Sequence, residues 1–586
     1  MKKTLVRNTL DKVGEEVRVF GWASRIRDHG SLVFVDLRDW TGKVQLVFDA
    51  KNIQDSRSIG LEYVLEIVGV VKEREDDLKN ESLETGNIEI EVKELIVLNK
   101  SKTPPFPLDT DGDEIDEQVR LKYRYIDMRR DRVRDLIKNR HRLMFLTRGW
   151  FIENDFVEVQ TPLLTVSSPE GARDYLVPSR IHKGKFYALP QAPQQYKQLL
   201  MVGGLDKYFQ IAPCFRDEDP RADRHSGDFY QIDAECSFVN REEFFELVEP
   251  YFKNSVESLT KKEIKEYRFP QISYREVIDK YGTDKPDLRY EMLLTDLTDE
   301  FNSSDMDIFK EVSTVKAIMV DKKFSRKEID ELTEEFKKEG ADGLAYFFLS
   351  DGKFDGPLVK FFGEDVQENI LKKLKEREYS VKGEQTILAI AGDTRKTTEL
   401  VGLLRNRMGD ILELKDKDVL AFAWIVDFPM FEWNEEQGKW EFGHNPFSMP
   451  QGGMKSLIEQ EPGDILAEQY DLVCNGYELG SGSIRNAHPE SFLKAFEIVG
   501  YSEEQTRKEF GHMISAFEYG APPHGGFAVG FDRYMMILFD ESNIREVYAF
   551  PKSNAQELMT GAPREISEQD LAILGLQFKK KLKGKK

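Results

Sequence analysis

Tyr208-Phe209-Gln210-Ile211-Ala212-Pro213-Cys214-Phe215-Arg216-Asp217-Glu218-Asp219-Pro220-Arg221-Ala222-Asp223-Arg224-His225 begins as an apolar run and ends in alternating charge. The first half reads as a strand that delivers Arg216 to the start of a loop. A second stretch has the same character: Gly526-Phe527-Ala528-Val529-Gly530-Phe531-Asp532-Arg533-Tyr534-Met535-Met536-Ile537-Leu538. Here a glycine-bounded strand hands Arg533 to the start of an apolar helix. An arginine fixed at the end of a rigid element suits a polyphosphate, because its planar fork makes paired charge-assisted bonds to phosphate oxygens. Either arginine alone reads equally well as a surface ion pair with its aspartate neighbours. Their joint occurrence, with the same flanking order, favours phosphate. The sequence has no GxxxxGK[ST] loop, and Gly203-Gly204, Gly452-Gly453 and Gly525-Gly526 lack a GxGxxG context. The expected nucleotide site is therefore a sheet presenting side chains, not a glycine cradle.

The rest of the chain narrows the class. Of 586 residues, 40% are hydrophobic and 11% aromatic, which supplies several cores and excludes wholesale disorder. The net charge of −22 excludes a protein that coats nucleic acid by bulk attraction. Charge is unevenly placed, however. Residues 118–150 hold eleven Lys or Arg against three Asp, and the last nine residues hold six lysines. This predicts local basic surfaces. The three cysteines, Cys214, Cys236 and Cys474, fit no metal spacing and read as reduced, buried thiols. No apolar stretch of signal-peptide length follows Lys2 and Lys3, and no membrane-spanning run occurs, so a cytoplasmic location with no membrane partner is expected.

Five short strands are expected in the first hundred residues: Glu16–Ala23, Ser31–Leu37, Lys43–Phe48, Tyr63–Val71 and Asn87–Leu98. They fit a small closed barrel such as an OB-fold. Thr103-Pro104-Pro105-Phe106-Pro107 ends it as a stiff linker. The acidic run Asp109–Glu117 reads as a solvated hinge. Residues 288–417 look different: helical, rich in Lys and Glu, and without the loop chemistry of the flanks, as an insertion would be.

Phe156-Val157-Glu158-Val159-Gln160-Thr161-Pro162, the Phe215–Glu218 segment and the Gly530–Arg533 segment together resemble motifs one, two and three of class II aminoacyl-tRNA synthetases. Gln231-Ile232-Asp233, Ser168–Tyr175 and Lys285-Pro286-Asp287-Leu288-Arg289 resemble the aspartyl branch, and Gly340-Ala341-Asp342-Gly343-Leu344 its bacterial-type GAD domain. The resemblance implies an α+β multidomain chain. Its parts would be an OB-fold anticodon-binding barrel (1–104), a hinge (105–130) and an antiparallel-sheet catalytic domain in two parts (131–287 and 418–560). An inserted α+β GAD domain (288–417) and a basic-tailed extension (561–586) complete it.

It also implies roles. Arg216 would hold the α-phosphate of ATP and the substrate carboxylate, and Arg533 the γ-phosphate. Asp217, Glu218, His225, Glu478, Gly530, Phe531 and Asp532 would complete the ATP site, and Asp471 with Glu478 would bind Mg²⁺. Lys197 and Arg485 would hold the aspartate side chain, with Gln194 and Asp233 near its ammonium, Glu170 in a glycine-containing loop that closes over the substrate, and His444 facing it. Two cations would leave donors unpaired against an amide, which allows discrimination of roughly 10⁴-fold. In the barrel, Phe34 would stack a base while Arg27, Asp28 and Gln45 read base edges of tRNA(Asp). His29 opens tRNA(Asn) as a second acceptor, because a histidine in this loop accompanies relaxed reading of the third anticodon base in that family. Pairing through motif one implies a homodimer.

The sequence departs from the family at Ala192 (serine is usual), Asn445 (histidine) and His225 (glutamine), and carries one extra residue among Ser226-Gly227-Asp228. Two alternatives stay open at this level: an asparaginyl or lysyl sister enzyme, and a non-catalytic RNA-binding paralogue. Lys197 and Arg485 speak against lysine, and the retained Arg216, Arg533, Asp471 and Glu478 against the paralogue.

Overall fold

The computed structural model describes residues 2–49, 54–81, 83–167, 172–219 and 227–578. The chain divides into two compact units: residues up to Lys138 with Tyr548–Arg564, and Asn139–Val547 with the residues from Glu565 on.

In the first unit, β1 (Glu16–Asp28), β2 (Leu32–Arg38), β3 (Lys43–Asp49), β4 (Val64–Glu73) and β5 (Ile88–Asn99) close into a barrel of order β1-β2-β3-β5-β4. Alternation drives the closure. Val17, Val19, Val33, Val35, Leu37, Leu46, Ile67 and Ile90 point inward and pack together. Phe34, between Val33 and Val35, is left on the outer face, outside that core. The acidic run is not simply solvated. Arg132 donates to Asp113 at 2.6 Å, and Arg130 donates to the Pro107 carbonyl at 3.0 Å. Part of the basic segment is likewise spent internally: Arg124 and Arg130 bond the fully buried Asp127 at 2.8 and 3.1 Å, and Arg120 lies 3.7 Å from it. A charge count treats these arginines as surface; a buried carboxylate recruits them instead.

The second unit is built on an eight-stranded sheet. Its strands are β6 (Val157–Glu158), β7 (Lys207–Phe215), β8 (Asp228–Ser237), β9 (Gln271–Ser273), β10 (Phe422–Val426), β11 (Gln469–Cys474), β12 (Tyr477–Ile484) and β13 (His524–Gly530). The spatial order is β9-β10-β11-β12-β13-β8-β7-β6. All pairs are antiparallel except the outermost, β9–β10 and β6–β7. The long helix α1 (Asp131–Glu153) leads into this unit, and α2 (Gln194–Val202) precedes β7. Helix α3 (Arg241–Leu259) starts on a capping box of Asn240 and Glu243. It covers one face of the sheet: Phe245 stacks on Trp424 at 4.0 Å, and Phe244 packs on Tyr470 and Phe527. The two-residue period of the strands turns the alternate positions to the other face.

The stretch 288–417 is less helical than its composition suggests. Strands Thr295–Asp296, Thr314–Val320, Ala345–Ser350, Lys353–Asp355 and Glu384–Gly392 form a five-stranded sheet between helices that include Arg326–Lys338 and Glu364–Glu376. All residues of Thr314–Val320 are buried, with Ile318 and Val320 in one core and Val315, Ala317 and Met319 in another. A strand covered on both faces loses the polar alternation that would announce it. Among the described residues, no helix is long and apolar enough to cross a membrane.

Candidate active site

The face of the eight-stranded sheet opposite α3 carries a cavity of about 630 Å³. Its walls include Gln194, Lys197, Arg216, Glu218, His444, Asp471, Glu478, Arg485, Gly530, Asp532 and Arg533. Residues more than three hundred positions apart are thus brought together because β13 pairs with both β12 and β8.

At one end lies a network of buried charge. Lys197 Nζ donates to Asp233 Oδ2 at 2.8 Å and lies 3.2 Å from Glu235 Oε2. Arg485 grips Glu235 with both arms of its fork, at 2.7 and 3.0 Å, and donates to Ser483 Oγ at 2.8 Å. All four charged side chains are at most 1% exposed. Burial raises the Asp233 carboxyl above its ordinary value, with Lys197 opposing. Burial would raise Glu235 too, but Arg485 and Lys197 outweigh it and hold that carboxyl at about 2. Both cations line the cavity while their carboxylate partners support them from behind. Backbone packing there leaves no space: a Cβ on Gly526 would collide with the Ala234 carbonyl and the Glu235 carboxylate. Helix α2, which carries Lys197, is tied down by Gln195 bonding His512 at 2.6 Å.

The other group of charged residues brings two arginines and two acids to the same cavity. Arg216 leaves the end of β7, its backbone N–H donating to Gly227 at 2.7 Å and its guanidinium lying over Phe229 at 5.3 Å. Arg533 follows β13 at the start of α6 (Phe531–Leu538) and donates to the Glu478 carbonyl. The Nε atoms of both arginines are buried without a hydrogen-bond partner, as is Asp471 Oδ1. Burial first, and Glu478 second, push the Asp471 carboxyl well above the carboxylate range. Unmet donors beside an unmet acceptor in a cavity describe a site organised for a ligand that carries anionic oxygens and a cation. Among the described residues, no three His, Cys, Asp or Glu side chains cluster as a self-sufficient metal cage. Two carboxylates plus phosphate oxygens are what Mg²⁺ accepts, so the donor set fits that ion only together with a nucleotide.

Other sequence-predicted residues have different surroundings. Asp532 accepts from Arg140 and from the Tyr230 N–H at 2.9 Å, and Phe531 is fully buried with Arg140 4.8 Å over its ring. Asp217 bridges to Arg173 through its backbone, the N–H donating at 2.9 Å. His444 packs edge-on against Phe428 at 4.9 Å. Asn445 Oδ1 accepts the Phe447 N–H at 3.0 Å, a short polar turn. Glu170 and His225 lie outside the described residues. In the barrel, Arg27 bonds Asp36 at 2.8 Å and Gln45 at 3.0 Å, Gln45 also bonds Glu89 at 3.0 Å, and Asp28 caps the Gly30 N–H at 2.8 Å. His29 sits edge-on to Phe34 at 5.6 Å. Glu235 and Asp284 were not singled out by sequence reasoning. The i, i+2, i+4 run Gln231, Asp233, Glu235 on a buried strand is the one signal that could have found Glu235; Asp284 lies just beyond a helix end and gave none.

Fold and site define the catalytic core of a class II aminoacyl-tRNA synthetase: a largely antiparallel sheet with arginines at the ends of two of its strands. Residues 116–554 match the family described as tRNA synthetases class II (D, K and N), and residues 17–98 match an OB-fold nucleic acid binding domain. The chain belongs to this class II (D, K and N) family. It is 48% identical over 577 residues to aspartate–tRNA(Asp/Asn) ligase of Chlorobaculum parvum, covering 97% of this chain and 94% of that one. It is 47% identical over 576 residues to the ligase of the same name from Zymomonas mobilis, covering 97% and 96%. Among solved structures, the fold matches an Entamoeba histolytica asparaginyl-tRNA synthetase in complex with asparaginyl-adenylate, with a TM-score of 0.60 at 17% identity over 95% of this chain and 99% of that one.

Proposed function

We propose that the protein ligates L-aspartate to tRNA(Asp) through an aspartyl-adenylate. An α-carboxylate oxygen of aspartate attacks the α-phosphorus of ATP, the bond to the bridging oxygen breaks, and pyrophosphate leaves. A terminal ribose hydroxyl of the tRNA then attacks the acyl carbon, and AMP leaves. Arg216 and Arg533 place and neutralise the phosphates, which is where such a reaction gains its rate. Asp471 and Glu478 would hold Mg²⁺, which would supply positive charge to offset that of the phosphates.

The observation that carries the choice of aspartate is the pair of buried cations, Lys197 and Arg485, at the cavity wall. A short carboxylate meets both; an amide leaves a donor facing a donor, and an ammonium is repelled. Pyrophosphate exchange with aspartate, asparagine and lysine tests it, and exchange stimulated best by asparagine or lysine would overturn it.

The tRNA is read by the barrel, where the outward Phe34 is free of the core and is offered for stacking. His29 beside it supports tRNA(Asn) as a second acceptor, in keeping with the names of the relatives; charging both tRNAs checks this, and absence of aspartylated tRNA(Asn) removes it. A cytoplasmic location is consistent with such a substrate. Phe145 and Ile152 on α1, with Leu163, Leu164 and Val166 beyond β6, are between 47% and 75% exposed. An apolar group of this kind supports burial against a second copy in a homodimer, and a monomeric mass at micromolar concentration would exclude that.

A further inference from the structure

We infer that Arg405, in the inserted domain, is a positioning residue for the active site: it fixes the segment 284–292 and, through it, the Asp284 carboxylate in the cavity. The inference rests on the catalytic reading above.

Arg405 is 2% exposed, on α5 (Thr394–Ile411), the last helix of the insertion. Its guanidinium donates to the carbonyls of Asp287, Tyr290, Glu291 and Met292 at 2.7–2.9 Å. The rings of Tyr290 and Tyr281 lie 4.2 and 4.9 Å from it. No carboxylate is paired with it among the described residues. A buried arginine held only by backbone oxygens specifies the path of a chain segment, because its rigid fork meets each carbonyl at a set angle. An apolar side chain of similar volume would fill the space between the rings without that constraint.

The segment it holds is attached to the active site at its N-terminal end. Asp284 lines the cavity with His444, Asp471 and Glu478. The helix before it, α4 (Tyr274–Tyr281), begins with Tyr274 edge-on to His444 at 5.9 Å. The seam with the insertion has no slack. At Gly282, φ is +69°, and a Cβ there would strike the Thr398 carbonyl and the Gly402 backbone of α5. Asp279 on α4 pairs with Lys316 at 3.0 Å and with Arg377, both from the insertion. The inserted domain thus presses on one short stretch, and that stretch ends in the cavity.

The test is a double-mutant cycle read by ATP–pyrophosphate exchange with ATP varied. Arg405→Met keeps the packing between the rings and removes the donors; Asp284→Asn removes the carboxylate. If Arg405 acts through Asp284, each single variant loses roughly 10- to 100-fold in kcat/KM, and the double variant is no worse than the poorer single. A folded Arg405→Met with wild-type kinetics, or losses that multiply in the double variant, would overturn the inference. Thermal unfolding of each variant controls for folding. If Arg405→Met is not recovered folded, Arg405→Lys, which keeps the charge and loses the planar fork, enters the same cycle with the same two outcomes. Wild-type exchange with asparagine instead of aspartate would refute the catalytic reading alone, and the cycle is then run with asparagine.

Discussion

Replacing Glu235 with glutamine tests whether the buried network is what makes the aspartate pocket. Glu235 sits 2.7 Å from Arg485 and 3.2 Å from Lys197, with all three side chains essentially inaccessible. At an effective dielectric of about 20, one pair at this distance attracts by roughly 5 kcal/mol. Glutamine keeps one acceptor but leaves a buried guanidinium without its counter-charge, and breaking such a pair costs about 3–5 kcal/mol. We expect Glu235→Gln to lose about 3 kcal/mol of stability in chemical denaturation and at least tenfold in KM for aspartate during pyrophosphate exchange. The pH profile has a definite sign. The native Glu235 carboxyl lies at about 2, below its ordinary 4.5. Its stabilisation is therefore complete above 4.5 and lost as pH falls towards 2. The gap between wild type and variant should be constant from about pH 5 to 8 and close below about pH 4. A variant with wild-type stability and wild-type KM, or a gap that widens in acid, would refute the reasoning.

Three further outcomes are expected. Asp471→Asn should raise the melting temperature of the ligand-free protein near neutral pH while cutting exchange roughly 100-fold or more, because burial and Glu478 disfavour the native charge. Since its native value is raised, the wild type should recover relative to the variant as pH falls through that value towards 3.8; an unchanged melting temperature would show the carboxyl is not strained. Phe34→Ala should weaken tRNA binding by about 1–3 kcal/mol and leave barrel stability alone, since Phe34 is outside the core; loss of the fold without loss of affinity would make it a packing residue. Gly526→Ala should raise KM for aspartate at least about tenfold, or yield no soluble enzyme, because the new Cβ displaces Glu235; normal kinetics would mean the sheet yields there.

What could be read before folding followed from local regularities. The short strand-like runs expected at Glu16–Ala23 and Ser31–Leu37 pointed to the barrel, whose strands run Glu16–Asp28 and Leu32–Arg38, and a strand running into a charged loop pointed to the place of Arg216. The Lys- and Glu-rich composition of residues 288–417 pointed to helices such as Arg326–Lys338. Where local pattern was silent, the reading erred. Thr314–Val320, buried on both faces, was absorbed into a helical stretch, and arginines that surround Asp127 were counted as surface charge.

The sequence by itself determined which elements form and which of them end in arginine, because backbone periodicity and turn chemistry act over a few residues. Which charges face one another was left to the tertiary structure. Lys197 and Arg485 could have been two solvated cations; only the pairing of β8, β13 and β12 sets them beside Asp233 and Glu235. Arg405 could have been a surface residue of an acidic insertion; only packing puts its fork on four carbonyls of the segment that enters the cavity. Burial makes these choices matter. In water each partner would be nearly interchangeable with solvent, whereas inside the sheet an unmatched charge costs several kcal/mol, so the fold matches most of them and the few polar atoms left unmet mark the site.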